Sequence, residues 1–448
     1  MTITTHLERG ALHVLGVLRR AGHETYWAGG YVRDKLLGRT AKDIDIVTDA
    51  KPDEVNSLFP KTYETGKNFG VMVVAHAGHA YEVSTFRRDL EYRDGRRPSS
   101  VEFCTAEEDA RRRDFTINAL FYDPETGNVI DHTDGQRDLD ARIVRAIGSP
   151  YDRFVEDRLR MLRAVRFASV LDFRIEPDTF DAIVKNAESI RQVSSERIQN
   201  ELSSLLTESP RAGDGILLLR ETGLLRIILP EIDALAGQKQ PPQFHPEGDV
   251  LTHTALMLNA MENPSPVLAY AVLLHDVGKP ETASIGPGSD GKERIRFDRH
   301  DEVGAEMTER ILRRLRLPNE IVKTVTAIVR NHMRFMHVQD MRPSTLKRML
   351  GTDFFHEELE LHRLDCLASH GKLDNYAFLQ DFVERLRNEP ALPKPLINGH
   401  DIMAMGVPEG PETGHWVRKA YEYQLENDNL DRETLLTWLR TRLEEEEN

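Results

Sequence analysis

AGGYVRDKLLGRTAKDIDIV, residues 28–47, is the stretch on which the reading of this 448-residue chain turns. Ala28-Gly29-Gly30 followed by Tyr31 to Gly38 predicts a strand end, a glycine turn and a helix start. That arrangement leaves backbone N–H groups and the Arg33 guanidinium free to hold a phosphate. In Lys42 to Val47 carboxylates alternate with isoleucines, so a strand there turns Asp43 and Asp45 to one face and sends Ile44 and Ile46 into the core. Adjacent carboxylates repel one another, and they become tolerable when solvated or when a divalent cation sits between them. Mg2+ takes one or two carboxylates together with substrate phosphates, and a pair of such ions activates an attacking hydroxyl and neutralises a leaving pyrophosphate. Asp43 and Asp45 are therefore the candidate catalytic, Mg2+-holding pair, with Gly29, Gly30 and Arg33 as candidate nucleotide-binding positions. Glu82, on the hairpin strand that follows, is a candidate third carboxylate.

Outward from this stretch, Val71 to Phe86 reads as two strands broken into a hairpin at Ala77-Gly78-His79. From Tyr151 onward the apolar spacing turns helical, as in Leu159, Leu162, Val165 and Phe167, and again in Ile198, Leu202, Leu205 and Leu206. The expected fold class is α+β: a mixed head followed by an all-α neck and body. Breaks rich in Gly, Pro and Gln at 237–248, 284–292 and 389–399 suggest a head over 1–147, a helical neck over 148–240, a body over 241–375 and a C-terminal helical tail over 376–448.

With 59 Lys+Arg against 74 Asp+Glu, the net charge of −15 argues against a general nucleic-acid coat but allows a local basic groove. Arginines do cluster, at Arg87, Arg88, Arg93, Arg96 and Arg97, at Arg111 to Arg113, and at Arg158, Arg160, Arg163 and Arg166, while acid collects at Glu444 to Glu447. The N-terminal half is thus expected to face phosphate. The two cysteines, Cys104 and Cys366, make neither a disulfide framework nor a thiolate zinc cage, so metal ligands must come from Asp and His. The longest apolar run, Val267 to Leu274, suits a buried helix and is too short for a membrane span. A cytoplasmic protein with no membrane partner is the expectation.

Further along, the residues carry a resemblance. GGYVRDKLLGRTAKDIDIVT, residues 29–48, resembles the first motif of the class II tRNA nucleotidyltransferase and bacterial poly(A) polymerase superfamily. Arg112 to Ala119, RRDFTINA, is similar to a second motif, in which the resemblance implies that Arg113, Asp114 and Asn118 contact the triphosphate and ribose. Asp131 to Leu139, DHTDGQRDL, resembles the hinge element between head and neck. Phe154 to Arg160 resembles the base-reading motif through Glu156, Asp157 and Arg160, and Ser195 to Ile198 with Glu201 resembles the neck motif. The resemblance implies a polymerase-β-like head. It also implies addition of CMP and AMP from CTP and ATP to the 3′ end of tRNA by two-metal transfer, with the acceptor and elbow of tRNA as partner.

On a helix, Asp157 and Arg160 lie three residues apart and Glu156 four from Arg160, so acid and base share a face and Glu156 braces the guanidinium. An acceptor beside a donor matches the exocyclic amine and unprotonated ring nitrogen of cytosine or adenine. Uracil and guanine present the reverse order and leave buried polar groups unpaired, at roughly 1 to 3 kcal/mol each. Arg163 and Arg166 continue the face as candidates for triphosphate or RNA phosphate contacts, the plain alternative being a solvated basic helix. The family's CC-only members are expected to have a shortened loop where Arg87 to Phe103 is full length, which favours A addition. Whether the chain adds all of CCA or only the A stays open, and Gly66 to Gly70 with the acidic tail ranks polyadenylation lower.

His253, His275-Asp276 and Asp365 follow the order H…HD…D, and His300 and His332 fall between them as further candidate ligands. HDVGKP and RHDEVGA resemble HD-domain phosphohydrolases, which implies a second divalent metal, Ni, Mn or Mg, with hydrolysis of phosphate esters such as 2′,3′-cyclic ends as an added expectation. Of the 17 histidines, His245, His337 and His415 read as ordinary core or surface residues. Pro395 to Gly414 resembles a tail that grips the tRNA elbow, a capping helical subdomain being the plainer reading. A primary HD phosphohydrolase and a non-catalytic RNA-binding protein are the rival functions.

Overall fold

Backbone pairing sets in at the glycine turn. The computed structural model describes residues 5–92, 98–241, 245–287, 291, 293–386, 392–428 and 430–447. Helix α1 (His6–Arg20) leads into β1 (Thr25–Ala28), α2 (Gly30–Leu36), β2 (Asp45–Thr48) and α3 (Pro52–Leu58). Then come β3 (Thr62–Gly66), β4 (Val71–His76), β5 (His79–Thr85), the pair β6 (Arg87–Tyr92) and β7 (Pro98–Phe103), α4 (Ala106–Arg111), β8 (Phe121–Tyr122) and β9 (Val129–Ile130). The sheet runs β3-β4-β5-β2-β1-β8-β9, antiparallel except for β2 beside β5. The predicted hairpin forms because Ala77 and Gly78 take φ of +49° and +80°, the left-handed pair that a two-residue turn between twisted strands requires.

Two registers position the site. Ala28 pairs with Asp45, which brings the glycine turn to that carboxylate, and the parallel pairing of Ile46 with Val83 sets Glu82 beside Asp45. Ile44 and Ile46 are buried as expected, in a core with Trp27, Tyr81 and Leu15 of α1. The strand itself starts only at Asp45, so Asp43 sits in the approach to β2, exposed, where its carboxylate still turns to the same side.

The chain then passes through α5 (Gly135–Asp140), the short parallel pair β10 (Ile143–Val144) and β11 (Arg174–Ile175), and α6 (Pro150–Glu156), α7 (Leu159–Leu171), α8 (Pro177–Asn186) and α9 (Ser195–Glu208). Asp131 caps α5, accepting from the N–H groups of Thr133, Gly135 and Gln136 at 3.1, 2.9 and 2.9 Å. A Cβ on Gly135 would lie 2.2 Å from the Thr116 carbonyl oxygen. Gly135→Ala is expected to cost about 1–3 kcal/mol of stability, read as a lowered Tm. Because the Thr116–Asn118 turn must give way, KM for nucleotide should rise with it.

Contacts divide the chain into two units, one of residues up to 236 with 258–266 and 311–317, the other of 237–257, 267–310 and 318–448. Helices α10 (Ala212–Glu221), α11 (Leu225–Ile228) and α12 (Pro230–Asp233) complete the chain up to 236. Beyond it lie α13 (Val250–Asn259), α14 (Pro266–Leu274), α15 (Lys279–Thr282), α16 (His300–Arg314), α17 (Asn319–Asn331), α18 (Pro343–Leu350) and α19 (Phe355–Ala368). The break at 284–292 is flanked by strands, β12 (Ala283–Pro287) and β13 (Glu293–Phe297), in register through Ile285 and Ile295. Separate apolar clusters form around Phe335 and Phe355 and around Trp416 and Leu439. The run Val267 to Leu274 is a buried helix, and among the described residues no helix is long and apolar enough to cross a membrane. The α+β class with a helical remainder holds.

Candidate functional site

A cavity of about 590 Å³ in the first unit is lined by Gly29, Gly30, Arg33, Asp43, Asp45, Glu82, Arg113, Asp114, Asn118, Asp157, Arg160, Arg163 and Arg166. Residues spread over more than a hundred positions of sequence thus meet at one end of the sheet. Gly29 has φ +70°, and a Cβ there would sit 3.3 Å from Arg113 Nη1 and 3.4 Å from Asp45 Oδ2, so glycine is what lets the turn approach the carboxylate. Burial pushes the Asp45 carboxyl up to about 6, with Glu82 and then Asp43 adding to the push and Arg113 opposing it. Three crowded acids, one of them reluctant to ionise, form a donor set that fits divalent cations.

Opposite them lies a ladder of charged hydrogen bonds. Arg33 Nη1 donates to Asn118 Oδ1 at 2.7 Å, Asn118 Nδ2 to Asp114 Oδ1 at 3.1 Å, and Arg163 Nε to Asp114 Oδ2 at 2.9 Å. Burial alone would raise the Asp114 carboxyl, but Arg163, Asn118 and Arg160 outweigh it and hold it at about 2. Arg113 is fixed by Asp109, which is fully buried, at 3.2 Å. The guanidinium carbons of Arg33, Arg163 and Arg166 lie 5.1, 5.2 and 4.0 Å from the centre of the Phe167 ring, so this residue, expected only as core, is a platform for three cations.

The single helix expected to carry the base-reading residues is broken. Helix α6 ends at Glu156, Asp157 is extended at φ −143°, and α7 begins at Leu159. The break has a local cause, since Asp157 Oδ1 accepts from Leu159 N–H at 3.1 Å and caps the new helix. Asp157 Oδ2 is held by Arg197 Nη2 at 2.7 Å, and Arg160 Nη1 donates to Glu156 Oε2 at 2.6 Å, so the brace on the guanidinium exists as expected. Both partners of the fork still face the cavity.

Arg197 and Glu201 were recognised in the sequence only as motif letters. In α9 they stand four residues apart on one face, Arg197 on Asp157 and Glu201 on Arg163 at 3.3 Å and Arg166 at 2.5 Å. Glu201→Ala leaves two adjacent half-buried guanidinium groups without that shared carboxylate. Thermal unfolding should show a loss of about 3 kcal/mol, and steady-state kinetics a KM for nucleotide raised more than kcat is lowered. Arg88 and Arg111 pair with Glu102 and Glu107 on the exposed surface, as a solvated face does, whereas Arg93, Arg96 and Arg97 lie outside the described residues.

In the second unit His253, His275, Asp276, His300, His332 and Asp365 come together. His253 Nε2 is 3.2 Å from Asp365 Oδ1, and His275 Nε2 is 3.1 Å from Asp276 Oδ2. Against the cost of burial, His253 and its neighbours hold Asp365 below the ordinary carboxylate range, and His275 and Lys279 do the same for Asp276. His245, expected to be an ordinary core or surface residue, instead lies at the edge of this cluster. Its ring centre is 5.0 Å from that of His253, and both rings bond Glu247 Oε1, at 2.9 and 2.7 Å. Nothing in the spacing of Glu247 singled it out. His337 and His415 are exposed.

Comparison with known proteins follows the same order along the chain. Family models match for the poly A polymerase head domain over residues 25–145, the probable RNA and SrmB-binding site of polymerase A over 172–235, and the HD domain over 249–368. The CCA-adding enzyme of Geobacillus thermodenitrificans is 49% identical over 215 residues, which is 48% of this chain and 53% of the relative. That of Bacillus subtilis is 48% identical over 197 residues, 44% of this chain and 49% of the relative. The chain thus spans about half the length of the curated relatives it matches. The fold is shared with the Thermotoga maritima CCA-adding enzyme complexed with tRNA (TM-score 0.59, 20% identity, 96% of this chain and 94% of that one). The crystal structure of the Bacillus stearothermophilus CCA-adding enzyme in complex with CTP superposes with a TM-score of 0.74 at 31% identity, over 99% of this chain and 99% of that one. Sharing its fold and nearly a third of its residues with that enzyme along 99% of both chains, the chain belongs to the family of the CCA-adding enzymes.

Proposed function

We propose that this chain transfers CMP and AMP from CTP and ATP to the 3′ end of tRNA, building the terminal CCA. One observation carries the reading: the Asp43, Asp45 and Glu82 carboxylates and the Asp157–Arg160 fork face the same cavity. A nucleotide whose triphosphate lies at the glycine turn would thus present its base to the fork. Asp43 and Asp45, with Glu82 beside them, would hold divalent cations, read as Mg2+, which when bound neutralise the triphosphate and lower the pKa of the attacking tRNA hydroxyl. The N–H groups at Gly29 and Gly30, with Arg33, Arg113, Arg163 and Arg166, hold the triphosphate. Asp114 and Asn118 fix those arginines and meet the ribose. Asp157 accepts from the exocyclic amine of cytosine or adenine, and Arg160, braced by Glu156, donates to the ring nitrogen. Uracil and guanine would set donor against donor and acceptor against acceptor.

The relatives named above are CCA-adding enzymes, one of them solved with CTP and one with tRNA, which supports complete CCA addition over A-only addition or polyadenylation. The domain reading follows: a catalytic head over 1–147, a neck over 148–240 that reads the base, an HD body over 241–375 and a tail over 376–448 that grips the tRNA elbow. The body is read as a secondary, metal-dependent phosphohydrolase, and the protein as cytoplasmic. With tRNA lacking its CCA as acceptor, the protein should release pyrophosphate from CTP, and from ATP once cytidines are in place, and none from UTP or GTP. A chain that binds such tRNA and releases no pyrophosphate from any nucleotide is not this enzyme.

A further inference from the structure

We propose that Arg39 and Lys42 are positioning residues that hold the loop bearing Asp43 in register with the two neck helices behind the base-reading fork, and so bear on base choice without touching a nucleotide. The inference rests on the proposed roles of Asp43, Asp157 and Arg160. Gly38, at φ +68°, stops α2, and residues 39–42 carry the chain on to Asp43. Asp43 precedes β2, so this loop rather than the sheet sets its place. The Arg39 N–H donates to the Asp34 carbonyl oxygen at 2.8 Å, and Ala41 packs against the core of the head, so the loop's backbone belongs to the head. Its two cationic side chains leave it for the neck. Arg39 Nη1 donates to the Val170 carbonyl oxygen at 2.9 Å, and Lys42 Nζ to Glu208 Oε1 at 2.9 Å.

Both contacts fall at helix C-termini. Val170 lies in the last turn of α7, where carbonyl groups have no partner within the helix, and a guanidinium there also meets the negative end of the helix dipole. Glu208 is the last residue of α9, where a carboxylate sits at that same negative end and Lys42 answers it. Between the two helix ends, Ser209 Oγ donates to the Ser169 carbonyl oxygen at 2.9 Å. Three hydrogen bonds thus close a ring through the loop, the end of α7 and the end of α9. At the other ends of these helices stand the groups that address the base. Asp157 and Arg160 lie at the start of α7, and Arg197, which holds Asp157, at the start of α9.

Helix α7 has 13 residues and is about 20 Å long, so a tilt of about 3° at its C-terminus displaces the fork by about 1 Å. A misplacement of about that size can cost about 10²-fold in rate. Arg39, Lys42 and Glu208 are exposed, and none of the three lines the head cavity. Exposed pairs add little to stability, so cutting them leaves the fold standing and reports on register. Lys42 also lies within electrostatic reach of Asp43. That influence acts on the triphosphate and its cations, which CTP and UTP share. The ratio between the two nucleotides is therefore the quantity that isolates register.

The test uses the full chain with Mg2+ and tRNA lacking its CCA, CTP and UTP competing in one reaction, so that the ratio does not depend on how much of the protein is folded. Arg39→Ala and Glu208→Lys should each narrow the preference for CTP over UTP by about fivefold and lower kcat for CTP more than they raise its KM, with Tm within about 2 °C of the parent. Arg39→Lys keeps a donor for the Val170 carbonyl and should retain most of the parent's preference. Exchanging the charges, Lys42→Glu with Glu208→Lys, should restore the preference that Glu208→Lys alone loses. A preference in Arg39→Ala and Glu208→Lys equal to the parent's, or one that the exchange does not restore, overturns this proposal alone. A parent chain that adds no cytidylate overturns the reading of the head, and this proposal with it.

Discussion

Asp45→Ala will lower the rate of nucleotide addition by about 10³-fold or more, and Asp43→Ala by a similar factor, while tRNA binding stays within a few-fold of the parent. Each removes a carboxylate from the cluster of Asp43, Asp45 and Glu82 that lines the head cavity. The same substitution should not unfold the protein. Loss of hydration at half-buried Asp45, with Glu82 and then Asp43 adding to it, pushes its carboxyl up to about 6 from an ordinary 3.8, so in the absence of cations the fold carries a cost that Asp45→Asn relieves. The sign follows from linkage. As pH rises from about 4 to about 6 the unfolded chain ionises this group first, and stability is lost over that window until the folded group ionises too. On the proposed reading, Mg2+ binds the ionised form. The rise in Tm on adding Mg2+ should therefore be larger at about pH 7 than at about pH 5, and should shrink in Asp45→Asn at both. Activity retained in Asp45→Ala would remove the carboxylates from the mechanism.

The second large effect is on base choice. Arg160→Ala should lower kcat/KM for CTP and ATP by about 10²-fold and narrow the gap to UTP and GTP by a comparable factor, because a charged donor to a buried base is worth about 1.5–3 kcal/mol. Asp157→Ala should do the same from the acceptor side. Arg160→Lys should not rescue, since the planar fork that reaches Glu156 through Nη1 and the Arg112 carbonyl through Nη2 is lost with the guanidinium. Competition between CTP and UTP in one reaction reads the discrimination directly. If selectivity in Arg160→Ala matched the parent while only the rate fell, Arg160 would serve position rather than choice.

Much of this site was legible in sequence because its geometry is local. Alternating Asp and Ile with a glycine pair upstream is enough to place Asp43, Asp45 and Gly29 on one side of a strand and its turn, and the hairpin at Ala77-Gly78 puts Glu82 on the strand that joins β2. The break between Glu156 and Leu159 was not legible. Spacing of three and four fits a continuous helix, and only the side chain of Asp157 turning back to cap Leu159 ends it. The work of Arg197, Glu201 and Phe167 was hidden for a different reason. Each acts on a residue distant in sequence, and a pairing such as Glu201 with Arg163 exists only once α7 and α9 are packed. Glu247 was not singled out, and His245 read as an ordinary core or surface residue, because irregular chain ahead of α13 carries no periodicity from which to read a facing direction.

One measurement bears on the whole account: the intact mass of a tRNA trimmed back to the residue before its CCA, after incubation with the protein, Mg2+ and all four nucleoside triphosphates together. Carboxylates and fork acting in one cavity should lengthen it by two cytidylates and one adenylate and then stop. A tRNA whose mass never changes, or one that gains uridylate, guanylate or a run of adenylates, would contradict it.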